Sequence, residues 1–208
     1  MEKVVLSKNI STIPPRLFEG CFNLSSVEIP ESVTTIGGVA FFNGGMESIK
    51  IPDSVTKMDP TVFKSCRKLK SVYISKNLEE IPQFTFENCE SLKNVEIPGN
   101  VKTISSWAFE YCVSLKEDVL NEGVSIIGEG VFCFCDVLSN VKLPQSLSEI
   151  KRDAFFHCDA LEEISYAGTK KQWSAVKKNP TWRDWTPLKV VHCSDGDVAI
   201  REKAFKKR

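Results

Sequence analysis

Phenylalanine recurs along this chain at a fixed interval. Phe18, Phe41, Phe63, Phe86, Phe109, Phe132 and Phe155 are spaced 23 residues apart, with one interval of 22. Three residues after each stands a cysteine, at Cys21, Cys66, Cys89, Cys112, Cys135 and Cys158, with Gly44 the single exception. Three residues further on come Leu24, Leu69, Leu92, Leu115, Leu138 and Leu161. A unit this short cannot bury its own apolar face and must stack on the next one. The period therefore predicts a solenoid in which like residues form ladders from coil to coil.

The unit around Val95 shows how one coil is built. Leu92, Val95 and Ile97 have the L-x-x-L-x-L form of a leucine-rich repeat. Val95 and Ile97 are two apart and point to one face of a short strand. Pro98 ends that strand, as Pro30, Pro52 and Pro144 do elsewhere, because proline cannot donate to a ladder. Val101 and Ile104 form a second apolar pair on the return side, and Phe109, Cys112 and Leu115 follow at the spacing of a short helical or 3₁₀ face. The expected fold is a leucine-rich repeat solenoid of about seven coils. It has a parallel concave sheet, short helical or 3₁₀ turns, short second strands on the return side and a C-terminal cap. Residues 1–165 are expected to form the array, 166–198 the cap and 199–208 a basic tail. Each buried ladder phenylalanine stabilises the stack by roughly 1.5–3 kcal/mol.

The pattern breaks in four places. At Phe42-Asn-Gly44-Gly45-Met46 one residue and the cysteine are lost, which predicts a local bend or weak point unless it is drift without consequence. Asp118 stands where other coils carry valine, and it needs a bulge or backbone partners to be tolerated. Val4-Val-Leu6 reads as a repeat strand with almost nothing before it. Either the chain is cut from a longer array, or this edge self-associates with another copy. Thr169–Lys177 reads as an amphipathic helix followed by Trp182 and Trp185; with Trp173 these cover the end of the core or, alternatively, form an aromatic cage.

Function classes can be narrowed. Apolar residues make up 42% of the 208, enough for a core. Lys and Arg number 27 against 27 Asp and Glu, so bulk charge does not hold the chain on nucleic acid. The excess of basic residues after Val198 reads as a frayed terminus or the start of a linker, with a nucleic-acid tail as the alternative. The N-terminus lacks the apolar run of a signal peptide, and no stretch approaches the apolar length of a membrane span. Six of the eight cysteines occupy one repeat position and read as buried free thiols. Cys133, Cys135, His157 and Cys158 are the one cluster resembling metal ligands, but neighbours in extended chain point apart, so no metal or other cofactor is assigned. With two histidines and no nucleophile elbow or phosphate loop, no enzyme activity is expected.

Recognition is then left to the surface. Residues between the inward strand positions form an outward column, Val5, Glu28, Lys50, Tyr73, Glu96, Val119, Lys142 and Ser165. A row just before the strands runs Glu2, Ser25, Glu47, Lys70, Lys93, Lys116, Ser139 and Glu162. Three lysines in register are notable, because like charges about 6 Å apart repel by roughly 0.7 kcal/mol even in water. Tyr73, Lys70, Lys93, Lys116 and Glu96 are the candidate ligand-binding residues.

The pattern L-x-x-V-x-I-P-x-x-V-x-x-I-x-x-x-A-F-x-x-C resembles the BspA-like leucine-rich repeat of bacterial surface proteins. Tyr166-Ala-Gly168-Thr-Lys-Lys-Gln172-Trp173 and His192-Cys-Ser-Asp-Gly-Asp197 are similar to the segment closing such arrays. The resemblance implies an extracellular or cell-surface location, with a cytoplasmic one as the alternative. It further implies adhesion to a protein or cell-surface ligand (or glycan) through the concave face. The competing reading is a structural spacer with no ligand of its own.

Overall fold

A computed structural model describes residues 2–201, without the side chains of Glu2, Asp118 and Val119. The chain winds into a parallel β-solenoid of about eight turns. Coils one to seven are numbered here by their phenylalanine rung, and the residues from Glu163 onward complete an eighth.

Each coil contributes a strand to the face that the sequence places on the concave side. These strands include Leu24–Glu28, Ser48–Lys50, Ser71–Tyr73, Asn94–Ile97, Glu117–Leu120, Asn140–Leu143 and Glu163–Tyr166, and those that pair with one another do so in parallel. Val95 and Ile97 are buried while Asn94 and Glu96 face out, so the two-residue alternation holds. The return side carries two-residue strands such as Thr103–Ile104, which pairs with Glu80–Ile81 and Ile126–Ile127.

Between the two strand ladders the expected helical face is a run of turns. Cys112 N–H donates to Phe109 O at 3.2 Å and Leu115 N–H to Cys112 O at 2.9 Å. A continuous helix is prevented because the residues two before and two after the ladder phenylalanine have positive φ, as at Trp107 (56°) and Tyr111 (57°). Their N–H groups are thereby freed to bond the next coil: Trp107 to Glu129 O at 2.8 Å, Phe109 to Val131 O at 3.0 Å and Tyr111 to Cys133 O at 2.9 Å. Where both strand ladders are continuous a coil is thus tied to its neighbour along three lines of backbone. Strand pairing lapses between Ser71–Tyr73 and Asn94–Ile97 on the long side and between Lys57–Met58 and Glu80–Ile81 on the return side.

The core is the phenylalanine ladder. Successive rings from Phe18 to Phe155 stack with centroids 5.2–5.7 Å apart, and all but Phe18 are fully buried. All eight cysteines are free thiols. Their ladder is a hydrogen-bond ladder as well: Cys66, Cys89, Cys112, Cys135 and Cys158 donate Sγ–H to the carbonyls of Phe41, Phe63, Phe86, Phe109 and Phe132 at 3.0–3.3 Å. Burial pushes the Cys66, Cys89 and Cys158 thiols up, Cys66 to about 12, so these stay protonated and unreactive.

The irregular positions have physical explanations. Met46, fully buried, takes the lost leucine position, and its Cε reaches into the space beside Gly44 where other coils carry cysteine. Gly45 meets the Phe22 carbonyl so closely that no side chain fits. The long-strand ladder is nevertheless interrupted here, between Leu24–Glu28 and Ser48–Lys50. Asp118 does not sit on a backbone bulge: it pairs in register with Val95 and Val141, and its side chain lies outside the described residues. At the N-terminus the strand spans Glu2–Val5, one residue short of Leu6, and pairs only with Leu24–Glu28 among the described residues.

At the other end, Thr169 caps the helix Lys170–Ala175 through a capping box with Gln172. Trp173 and Trp182 are buried, and Trp182 packs edge-on against Phe155, the last ladder ring, at 5.8 Å. Trp185 stays outside, stacked on His157, so the three do not make a cage. That stack is part of a second ladder, with Tyr111 on Phe134 at 4.7 Å and Phe134 on His157 at 5.1 Å. These residues hold the positive-φ position that Gly20, Asn43, Ser65 and Asn88 occupy in the earlier coils. Ring stacking there offsets a backbone conformation that bulky side chains disfavour. Residues 202–208, most of the basic tail, lie outside the described residues.

Candidate functional site

The lysine row is assembled by backbone. Lys70 N–H donates to Glu47 O at 2.7 Å, Lys93 N–H to Lys70 O at 3.4 Å, Lys116 N–H to Lys93 O at 2.9 Å and Ser139 N–H to Lys116 O at 3.1 Å. The buried Leu69, Leu92 and Leu115 just before them fix the phase, so all three lysines are exposed on one line. Lys70 Nζ pairs with Glu47 at 2.8 Å, and the ammonium holds the Glu47 carboxyl below its ordinary range. Lys93 and Lys116 have no side-chain partner among the described residues. Among the described residues, two like charges on adjacent coils are thus without an ion pair.

Tyr73 and Glu96 stand on the same face, on the strands that follow Lys70 and Lys93. They line one shallow groove of about 460 Å³ with Lys76, Pro98, Asn100 and Asn121. The lysines lie three residues back along each strand, roughly 10 Å away at strand rise. The five candidate residues therefore form a row and a groove on one face instead of one pocket.

Tyr73 is held in place. Its hydroxyl donates to the Asp53 carboxylate at 3.1 and 3.2 Å, and Lys50 Nζ lies 5.8 Å from its ring centroid. The Lys76 backbone N–H, and with it the Tyr73 hydroxyl, keeps the Asp53 carboxyl below its ordinary value. Glu96 accepts a hydrogen bond from Asn121 Nδ2 at 3.1 Å. Lys50 was visible in the outward column, but Asp53 had no sequence signal because it reaches Tyr73 from the loop of the preceding coil. Between the row and the groove runs a line of exposed polar residues, Ser48, Ser71, Asn94, Glu117 and Asn140. Val119 of the outward column lies outside the described side chains.

The cysteine-histidine cluster separates. Cys135 and Cys158 bond core carbonyls, while His157 stacks outside between Phe134 and Trp185. Among the described residues no group of three or more His, Cys, Asp or Glu is placed to hold a metal ion.

His192 closes the array. Its Nδ1 lies 2.8 Å from Asp197 and its Nε2 3.3 Å from Glu163, linking the final hairpin, Val190–Cys193 with Gly196–Ala199, to the eighth-coil strand. Hydrogen bonds to Asp197 and then Glu163 raise its pKa above 6.5. A raised imidazole stabilises the folded form fully below its unfolded value, and that contribution is lost as pH climbs through the raised one. Amide exchange in the hairpin, corrected for intrinsic rate, is expected to be faster at pH 8.5 than at pH 6. In His192→Gln the difference should vanish; an unchanged difference would remove the clasp from the account.

The family described as BspA type leucine rich repeat region matches in six copies, over residues 1–116, 61–175 and 108–207, and the chain belongs to this family. No curated protein sequence matches. Among solved structures, a leucine-rich repeat protein from Bacteroides ovatus superposes with a TM-score of 0.79 at 24% identity, over 91% of this chain and 48% of its own. One from Eubacterium ventriosum gives 0.56 at 23% identity, over 94% and 47%. The chain spans about half the length of each, and the likeness establishes fold. Repeats of this family form protein-interaction or structural modules, and solenoids of this kind are typically non-catalytic. Among the described residues no helix is long and apolar enough to cross a membrane.

Proposed function

We propose that this chain is a non-catalytic recognition module of the cell exterior or cell surface, binding its ligand through the strand face of coils four to six. The observation that carries this reading is the lysine row. Three cations are held in register by inter-coil backbone bonds, and two of them lack partners among the described residues. An arrangement that raises the energy of the free protein is relieved when a ligand supplies opposite charge. Residues 1–165 act as the array, 166–198 close it, and the location follows from the family resemblance. We further propose that the chain self-associates through Val4–Leu6, which light scattering would read as a mass that rises with concentration; a strict monomer throughout would exclude it.

The test is Lys70→Glu/Lys93→Glu/Lys116→Glu. The variant is expected to keep the wild-type circular dichroism spectrum and to lose at least tenfold in affinity for surface or matrix components that the wild type retains. Equal retention by a folded variant would discard the face and favour the spacer reading.

A further inference from the structure

The groups exposed on this face define a ligand more narrowly, on the assumption that the face is indeed the binding surface. Besides the lysines, coils four to six present acceptors: the Ser71 hydroxyl, the Asn94 amide and the Glu96 and Glu117 carboxylates. Tyr73 is the one large apolar side chain exposed there among those described, and its ring is fixed by the bond to Asp53. A polyacidic peptide or a DNA strand brings a charge at every unit but no hydroxyls to donate to Glu96 and Glu117, and so meets them only as repulsive charges. A partner docking by apolar anchors would find only the tyrosine. A carbohydrate chain bearing carboxylates uses every part: its hydroxyls donate to Glu96, Glu117, Ser71 and Asn94, its carboxylates meet Lys93 and Lys116, and a pyranose C–H face lies on Tyr73. The lysines repeat at the coil spacing, about 4.8 Å, which suits an extended chain laid along the solenoid axis better than a compact ligand in one pocket.

We infer that the strand face of coils four to six binds an extended acidic glycan of the uronic-acid type. The ligand lies along the solenoid axis over Ser71, Asn94 and Glu117, with Lys70, Lys93 and Lys116 reaching its carboxylates from one side and Tyr73 meeting one sugar ring from the other.

Calorimetric titration of the whole chain with oligogalacturonates of graded length tests this. Methyl-esterified oligogalacturonate and oligoglutamate serve as comparison probes. Affinity is expected to rise with length over three to five sugars and to fall at least tenfold on esterification. It should fall at least tenfold again in Lys70→Gln/Lys93→Gln/Lys116→Gln. Tyr73→Ala should lose about fivefold, and Tyr73→Phe, which keeps the ring but not the bond to Asp53, should lose less than Tyr73→Ala. Equal binding of oligoglutamate overturns the inference, because the face would then read charge alone. No binding of oligogalacturonate at millimolar concentration also overturns it. If a protein ligand is still lost on lysine charge reversal in that case, the binding face survives and only its glycan specificity fails.

Discussion

Phe109→Ala is expected to lower the unfolding free energy by about 3–5 kcal/mol, the range for truncating a well-packed core aromatic. The ring is fully buried and stacked between Phe86 at 5.2 Å and Phe132 at 5.7 Å, so truncation removes partners on both faces. The cavity cannot close, because backbone bonds along the turns and the return strands hold coils four, five and six at fixed separation. A solenoid is stabilised by nearest-neighbour interfaces, so a defect in its middle also weakens the coupling of its two halves. Urea unfolding followed by circular dichroism should show a lower midpoint and a shallower transition. Phe18→Ala, at the half-buried end of the ladder, should cost clearly less. Equal effects at the two positions would contradict the ladder as the main cohesive element.

The second large effect is expected at Gly45. A side-chain carbon there would collide with the Phe22 carbonyl oxygen, which belongs to backbone and cannot rotate away. Gly45 N–H also donates to Cys21 O at 3.1 Å, so relieving the clash breaks a bond between the first two coils. Gly45→Ala is expected to cost roughly 2–3 kcal/mol, toward the upper end for overpacking. Gly38→Ala is the control. Its added carbon would come no nearer than 3.3 Å to Pro60 O, a contact that a small adjustment relieves. Thermal melts of the two variants should differ by several degrees, and matching melts would show that the one-residue deletion leaves slack between these coils.

Much of this architecture was legible because every coil repeats one environment. Phe109 and Cys112 have the same neighbours as Phe86 and Cys89, so spacing alone identifies both ladders. The turn geometry was not legible. Thr61, Phe84 and Trp107 adopt positive φ although their residue types do not favour it; what holds them there is an N–H bond to the next coil and, for Phe84 and Trp107, their mutual stacking at 5.2 Å. The outer stack was legible in principle, since Tyr111, Phe134 and His157 are also 23 residues apart, but the stronger phenylalanine signal two residues earlier masks it. Met46 filling the place of a cysteine depends on side-chain reach across a deletion, which no pattern of residue types encodes.

On the strand face the lysine row followed directly from repeat phase, as its backbone hydrogen bonds bear out residue by residue. The grouping of Tyr73 with those lysines did not follow. Sequence phase places them on one face, but not on the groove side that Tyr73 shares with Glu96, nor beside the Asp53 that orients it.

The central claim, that recognition resides on the lysine-bearing face, is tested most directly by a binding measurement on three folded proteins. These are the wild type, the variant reversed to glutamate at Lys70, Lys93 and Lys116, and a control reversed at the exposed return-side Lys57, Lys102 and Lys151. Both variants carry the same change in net charge. The account predicts that the face variant loses at least tenfold in affinity for oligogalacturonate or a retained surface ligand, while the control stays within about twofold of wild type. Equal losses in the two variants, or no loss in either, would contradict it.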